Sequence, residues 1–233
     1  MMRALLLAAG LGTRLKPITN NIPKCLVPIG GKPLLQIWLE KLEKAGVKKF
    51  LINTHYLHEQ VESFIFKSRF KNSVELYWEK NLKGTAGTLF NNIDFFKNDD
   101  GFLIHADNLC EDNILKFIKF HNQRPSYCEI TMMVFETDKP FNCGIVNIDK
   151  NNVVQKFFEK KKNPPGNLAN GAVYILSNKF IKSFKSKFVN VSDFSNEVLP
   201  NMLNKIFVYK TNNRFIDIGT IDNYNKANNI IEE

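Results

Sequence analysis

Over the first half of the chain, short unbroken apolar runs alternate with stretches of helical spacing. Leu5-Leu6-Leu7-Ala8-Ala9, Phe50-Leu51-Ile52 and Phe102-Leu103-Ile104 carry no polar interruption, which is the pattern of parallel strands buried on both faces. Between the first two runs, Leu34, Leu35, Trp38, Leu42 and Ala45 share one helical face, with Pro33 at its start and Gly46 as its stop. Val61, Phe64, Ile65 and Ser68 mark a second helical face, and Val74, Leu76 and Trp78 alternate as a strand does. A helix is expected after Gly84-Thr85-Ala86-Gly87, and Ile114, Leu115 and Ile118 carry another. This β-α-β-α order predicts an α/β fold, with a mixed, mainly parallel sheet flanked by helices and joined by right-handed crossovers.

The second half reads differently. Ile130–Phe135, Ile145–Ile148, Val153–Phe158 and Ala172–Leu176 are strand-like and separated by turns, with a clear break at Asn163-Pro164-Pro165-Gly166. They predict an antiparallel extension to the first half. Val198, Met202 and Ile206 continue a helix-to-strand passage, and a closing helix is expected around Tyr224–Ile231. With no repeats and no long linker, residues 1–233 are expected to form a single domain, with one half over about 1–125 and the other over about 126–233.

Composition narrows the class. Of the 233 residues 44% are hydrophobic and 24% charged, globular values that exclude disorder as the default. No apolar run approaches the roughly 20 residues of a membrane span, and the short N-terminal run does not have a signal-peptide layout, so no membrane association and a cytoplasmic location are expected. Cys25, Cys110, Cys128 and Cys143 show no C-x-x-C spacing and read as reduced thiols. The net charge of +9 comes from scattered lysines whose densest cluster is Lys160-Lys161-Lys162. That distribution argues against specific nucleic-acid binding and suits a site for anionic small molecules.

The chemistry concentrates in LLLAAGLGTRLKPITNNIPKCLVPI, from Leu5 to Ile29. Gly10 and Gly12 remove side chains where the backbone leaves the first strand, which lets backbone N–H groups approach an anion. Arg14 and Lys24 add a planar multi-donor cation and a compact one, a combination suited to polyphosphate. Pro17, Pro23 and Pro28 rule against a long helix here. The stretch is neither a dinucleotide fingerprint, since Leu15 stands where a third glycine belongs, nor a Walker A loop, since Gly31-Lys32 is followed by Pro33.

The segment resembles the GxGTRLxPxTxxxPKxLxPI signature of sugar-1-phosphate nucleotidyltransferases, matching at Gly10, Gly12, Thr13, Arg14, Leu15, Pro17, Thr19, Pro23, Lys24, Leu26, Pro28 and Ile29. The resemblance extends over nearly the whole chain and implies the Rossmann-like nucleotide-diphospho-sugar transferase fold. It further implies an NTP and a sugar 1-phosphate as substrates, Mg²⁺ as cofactor, and room for a homo-oligomer. On this resemblance Arg14 and Lys24 are the catalytic cations. Nucleotide contacts fall to Leu7, Ala9, Gly10, Gly12, Thr13, Glu79, Gly84 and Thr85.

Two carboxylates complete the expected set. Asp107 follows strand 102–104, where a doubly wound sheet gathers ligands, and Mg²⁺ takes one or two protein carboxylates plus phosphates and water. Asp217, in Arg214-Phe215-Ile216-Asp217-Ile218-Gly219-Thr220, resembles the family's closing aromatic-x-Asp-Ile-Gly-Thr-Pro motif, with Ile221 in place of the proline, and is the second expected metal ligand. Its rival role is a salt bridge with Arg214. Asn142-Cys143-Gly144-Ile145-Val146, Glu159-Lys160 and Asn170-Gly171-Ala172-Val173-Tyr174 resemble the family's sugar-side segments, which puts Gly144, Glu159, Lys160 and Asn170 at the sugar phosphate.

Gly84-Thr85-Ala86-Gly87 resembles the segment common in guanylyltransferases, so the first reading is GTP with mannose or heptose 1-phosphate. Uridylyl or thymidylyl transfer is the alternative. A non-catalytic nucleotide-sugar-binding relative is the rival from another class, since fold alone does not carry activity. The chain stops soon after its last expected helix, leaving no room for the β-helix acyltransferase domain that some relatives append.

Overall fold

The computed structural model describes residues 2–232. In chain order its strands are β1 (Arg3–Leu7), β2 (Pro28–Ile29), β3 (Lys32–Pro33), β4 (Phe50–Thr54), β5 (Val74–Trp78), β6 (Gly101–His105), β7 (Asn108–Cys110), β8 (Ile130–Glu136), β9 (Gly144–Ile148), β10 (Val154–Glu159), β11 (Leu168–Leu176), β12 (Ile206–Lys210) and β13 (Phe215–Asp217). The α-helices are α1 (Leu34–Lys44), α2 (His58–Lys67), α3 (Gly84–Asn92), α4 (Ile114–His121), α5 (Asn178–Lys187) and α6 (Ile221–Glu232). The chain forms two compact units. One takes Met2–Leu82, Ile104–Asp112 and the chain from Asn213 onward, and the other Lys83–Leu103 and Asn113–Asn212.

The first unit is built on parallel pairing. β1 lies beside β4 with Leu5 opposite Leu51, and β4 beside β5 with Ile52 opposite Leu76. The end of β6 flanks β1 on its other side, where the Ala106 N–H donates to the Leu7 carbonyl. Ala4, Leu5 and Leu6 are fully buried and every residue of β4 is buried, as strands covered on both faces require. Helix α1 buries Leu34, Leu35, Trp38, Leu39 and Leu42, and the Trp38 indole N–H donates to the Asn108 carbonyl at 2.8 Å. Gly46, at φ 92°, lets the chain turn out of this helix. At β5 the expected alternation fades. Val74 and Leu76 are half-buried, and Trp78 stands 52% exposed with its ring 5.0 Å from that of His58.

A second apolar cluster in this unit holds the site in place. Leu15, Val27, Ile29 and Leu34 pack with Leu109, Ile216, Ile218 and Ala227. This cluster pins three successive 3₁₀ turns (Thr13–Leu15, Ile18–Asn20, Lys24–Leu26) against the antiparallel ribbon β7–β13 and against α6. The prolines account for turns in place of a helix.

The second unit is largely antiparallel. β8 pairs antiparallel with β11 and parallel with β12, while β11 meets β9 and β9 meets β10 in antiparallel fashion. The Gly84-Thr85-Ala86-Gly87 segment, expected to precede a helix, is itself the first turn of α3. In α4 the inward residues are Ile114, Phe117 and His121, whereas Leu115 is 45% exposed. Helix α5 falls outside the elements read from the sequence, because only Phe180, Ile181 and Phe184 interrupt its run of lysines and polar residues. Its N-terminus is capped by the Ser177 hydroxyl, which accepts the Phe180 N–H. Among the described residues no helix is long and apolar enough to cross a membrane.

Candidate active site

In the first unit the register of the β7–β13 ribbon puts Asp217 opposite Asn108, the residue after Asp107, and the Ile218 N–H donates to the Asp107 carbonyl. Lys24 comes to the same place from its 3₁₀ turn, flanked by the buried Cys25 and Leu26. Its Nζ donates to Asp107 Oδ2 at 2.6 Å and lies 3.7 Å from Asp217 Oδ1. The lysine is buried, while the two carboxylates keep about a third and a half of their surface in solvent. One ammonium therefore gathers both carboxylates at the mouth of the sheet. Arg214, the rival partner for Asp217, instead brings its Nε to 3.8 Å from Glu111.

The two carboxyls are pushed apart in acidity. Burial pushes Asp107 up, but the Lys24 ammonium and its hydrogen bond outweigh that and hold the group below the usual carboxylate range. Burial and the negative charge of Asp107 together push Asp217 above that range, against the opposing pull of Lys24 and Arg14. Arg14 itself is exposed, so its guanidinium faces solvent while still acting on Asp217. Among the described residues no three His, Cys, Asp or Glu side chains are grouped as a metal cage. Two converging carboxylates beside open solvent fit Mg²⁺, which fills its octahedron with water and phosphate oxygens.

The glycine loop ahead of Arg14 is set by backbone geometry. Gly12 adopts φ 64°, and a Cβ there would lie 2.9 Å from Thr19 Cγ2. The Thr19 hydroxyl closes the loop by donating to the Gly12 carbonyl at 2.7 Å. Gly10 is exposed with open space where a Cβ would stand, Thr13 is exposed, and Ala9 is buried. Leu7 ends β1, half-buried.

Glu79 is buried in this same unit. Its N–H donates to the Thr54 carbonyl, and its carboxylate accepts from the Asn53 amide at 3.1 Å. Asn53 Oδ1 in turn accepts the Ala8 N–H at 2.8 Å. This polar column joins the ends of β1, β4 and β5, and nothing in the sequence pattern marked Asn53 as its middle member.

Gly84 and Thr85 belong to the second unit. Gly84 sits at φ 75°, and a Cβ on it would collide with the Ser192 carbonyl and hydroxyl oxygens. The Ala86 and Gly87 N–H groups donate to the Ser192 carbonyl, and the Thr85 hydroxyl accepts the Phe194 N–H at 2.7 Å. The small residues of this segment thus have a packing reason of their own, the close approach of residues 191–194. That segment is held from its other side by Glu197, whose carboxylate accepts the Ser192 and Asp193 N–H groups at 2.6 and 2.5 Å. The arrangement is a capping box stretched by one residue.

The sugar-side candidates come together in the second unit. Gly144 pairs across the strands with Glu159, and a Cβ on Gly144 would lie 2.5 Å from Glu159 Oε2 and 2.6 Å from the Phe157 ring. Glu159 is half-buried. Burial and the nearby Asp193 charge push its carboxyl up against the pull of Lys160. Lys160 is exposed, with Nζ 3.6 Å from Glu159 Oε1 and a left-handed backbone at φ 45°.

Asn170 lies at an irregularity of β11, whose register against β8 shifts between Asn170 and Tyr174. Within it Ala172 takes φ 52°. The Asn170 amide donates to the Tyr174 hydroxyl at 2.7 Å, and its carbonyl oxygen accepts the Ala172 N–H at 2.9 Å. Tyr174 is fully buried. Asp193, whose charge acts on Glu159, is a neighbour of these candidates that the sequence reading missed. The Asp193…Glu197 capping pattern was the one signal that could have located it.

A nucleotidyl transferase family profile matches residues 3–233. The chain belongs to that family. Relatives of this nucleotidyl transferase include the D-glycero-alpha-D-manno-heptose 1-phosphate guanylyltransferase of Campylobacter jejuni, 30% identical over 96% of this chain and 97% of that protein. A glucose-1-phosphate adenylyltransferase of Mycoplasma mobile is also 30% identical, over 97% of this chain but 66% of its own length. The chain thus spans about two thirds of some curated relatives and nearly all of others. Its fold matches that of HddC from Yersinia pseudotuberculosis complexed with GMP-PN, at a TM-score of 0.80 and 30% identity over 99% of each chain. The nucleotidyl transferase fold expected from the signature is the one present.

Proposed function

We propose that the protein transfers a nucleotidyl group from an NTP to a sugar 1-phosphate and releases pyrophosphate, using both compact units as one nucleotidyltransferase domain. The observation that carries this reading is the convergence of Asp107 and Asp217 on the buried Lys24 ammonium, beside the Gly10–Arg14 loop. In-line attack of a sugar phosphate on the α-phosphorus needs positioning and charge neutralisation more than a protein base. Arg14, exposed to solvent, grips the β- and γ-phosphates. Lys24 turns from its carboxylates toward the charge developing at the α-phosphate. Asp107 and Asp217 would hold Mg²⁺, which would neutralise phosphate charge when bound. Gly10, Gly12 and Thr13 present loop backbone to the phosphates, and Leu7, Ala9 and Glu79 border the base. Gly144, Glu159, Lys160 and Asn170 bind the sugar phosphate. Lys24, Asp107 and Asp217 converge and the Arg14 charge acts on Asp217, which favours an enzyme over a non-catalytic binding relative.

The favoured substrates are GTP with mannose or heptose 1-phosphate. The support is the full-length likeness to a heptose 1-phosphate guanylyltransferase and to a structure solved with a guanine nucleotide analogue. Gly84 and Thr85 stay in the proposed base side, though their packing against Ser192 and Phe194 removes most of the weight their sequence carried. Adenylyl transfer is the second reading, on an equal identity to an adenylyltransferase. The substrates suit a cytoplasmic enzyme, with a homo-oligomer as its proposed assembly. Pyrophosphate release should be measured with Mg²⁺ across GTP, ATP, UTP, CTP and dTTP, each against a panel of sugar 1-phosphates. The reading predicts turnover with at least one pair and best turnover with GTP. Release with none of the pairs contradicts the activity, and release with ATP, UTP or dTTP but not GTP contradicts the base.

A further inference from the structure

The second unit gathers positive charge around one buried carboxylate that belongs to none of the proposed substrate contacts. Glu129, just ahead of β8, is 1% exposed. Lys187 Nζ donates to its Oε2 at 3.2 Å, while Lys179 and Lys205 bring theirs to 3.5 and 3.6 Å from its Oε1. Three ammonium groups against one carboxylate leave two positive charges over. Like charges this close repel one another, and a bound anion relieves that repulsion. Each lysine is partly exposed and has three donors, so N–H groups remain for a ligand.

Two of these lysines also wall a cavity. Lys187 and Lys205 line an open space of about 400 Å³ that Phe188, Val189 and Met202 make apolar on its other walls. That volume suits a small molecule. Glu197 lines it too, but its Oε2 accepts the Ser192 and Asp193 N–H groups at 2.6 and 2.5 Å, and even counted in full its charge leaves the surplus positive. A phosphomonoester matches both kinds of wall. Its head carries about −1.5 to −2 charge at neutral pH, and its organic body can lie against the apolar residues.

We infer that the cavity walled by Lys187 and Lys205 is a binding site for a phosphomonoester, and that its occupation steadies the first turn of α3. The link runs through hydrogen bonds of the same unit. Val191 and Glu197 line the cavity, and Glu197 holds the backbone of Ser192 and Asp193. The Ser192 carbonyl in turn accepts the Ala86 and Gly87 N–H groups at 2.9 and 3.4 Å, and the Phe194 N–H donates to the Thr85 hydroxyl at 2.7 Å. A ligand that orders one face of residues 191–197 therefore orders the face that seats α3.

The test is calorimetric titration of the full-length protein with phenyl phosphate and with inorganic phosphate, at fixed ionic strength. Phenyl phosphate should bind saturably, and more tightly than inorganic phosphate, which leaves the apolar walls bare. Its affinity should survive Arg14→Ala combined with Lys160→Ala, which disables anion contacts proposed for substrate. Lys187→Gln combined with Lys205→Gln should weaken it roughly 10-fold or more, as loss of charge-assisted hydrogen bonds does. Should that double variant fail to melt cooperatively, the two single variants carry the test. Hydrogen exchange at the Ala86, Gly87 and Phe194 amides of the wild type should slow about threefold or more at saturation. The site is overturned by no saturable binding, by inorganic phosphate binding as tightly as the ester, by loss of binding with Arg14 and Lys160, or by unchanged binding without Lys187 and Lys205. Binding with unaltered exchange overturns the coupling to α3. None of these outcomes depends on turnover, so the transferase reading stands or falls separately.

Discussion

The two candidate sides of this protein are built by opposite means. In the first unit the site is ionic: one buried ammonium, two half-exposed carboxylates and a solvent-facing guanidinium, delivered by loop turns and strand ends. In the second unit the site is a network of short hydrogen bonds and tight backbone fits, with left-handed residues at Lys160 and Ala172 and a glycine that the Glu159 carboxylate demands. Charge can act across several ångströms and tolerates mobile side chains, as polyphosphate binding requires. Hydrogen bonds to a particular hydroxyl need fixed angles and depth of burial, and the fold stores local strain to obtain them. The lesson is that ionic groups declare themselves in a motif, whereas a hydrogen-bonded positioning network becomes visible only once the chain is folded.

The comparison breaks most sharply at Lys24. Lys24→Ala removes the ammonium that both carboxylates share, and about a 10²- to 10³-fold loss of turnover is expected, as for other preorganised charges. Measured as pyrophosphate release, the loss should appear in kcat with a fold that still melts cooperatively. The second unit should respond in stability first. Gly144→Ala forces a methyl against Glu159 and the Phe157 ring, and Gly84→Ala forces one against Ser192 from a left-handed backbone. Each should cost about 1–3 kcal/mol, read as a drop of several degrees in Tm. Gly10→Ala, with open space around it, should leave Tm unchanged.

A smaller effect distinguishes the units by pH. In the second unit the buried His121 accepts or donates to Thr131 at 2.6 Å and Asp100 at 3.0 Å. Burial depresses the His121 pKa below its ordinary value of 6.5 despite Asp100. The unfolded chain therefore binds this proton first, and stability falls as pH drops through 6.5 toward the lower folded value. Burial pushes Asp100 up, but His121, the Asn178 N–H and Arg124 hold it below 3.8, so its contribution is lost only at lower pH still. Thermal melts from pH 7.5 to 5 should show Tm falling toward acid, with His121→Gln flattening that slope. An unchanged slope in the variant would remove His121 as the cause. Smallest of all is Ala172→Gly. Relief of the left-handed alanine is worth about 1–2 kcal/mol and is partly offset by the added chain entropy of glycine, so Tm should rise by a degree or two.

Much of this architecture could be read from residue order. The unbroken runs at 5–9, 50–52 and 102–104 lie in β1, β4 and β6, because strands buried on both faces leave no polar position to interrupt them. The signature loop likewise singled out Lys24, whose ammonium the fold sets beside Asp107 and Asp217. Less legible were features that depend on distant partners. Helix α5 hides because its apolar face is three residues wide among lysines. The Gly84–Gly87 segment read as a base contact, yet its nearest neighbours are the backbone of residues 191–194, a hundred positions away. Asp193 carries no motif of its own, since its charge meets Glu159 only through the fold. The cysteines were read as reduced thiols, and among the described residues Cys25, Cys110, Cys128 and Cys143 form no disulfide, with burial pushing the first three up to about 12, 11 and 11.

The central claim is that the Asp107–Lys24–Asp217 convergence performs nucleotidyl transfer. A Mg²⁺ titration of pyrophosphate release in wild type, Asp107→Ala and Asp217→Ala tests it most directly, using the best substrate pair. The account predicts saturable dependence on Mg²⁺ in the wild type and a loss of about 10²-fold or more in each variant, with the cooperative melt preserved. Full pyrophosphate release by Asp107→Ala at the wild-type Mg²⁺ requirement would contradict it.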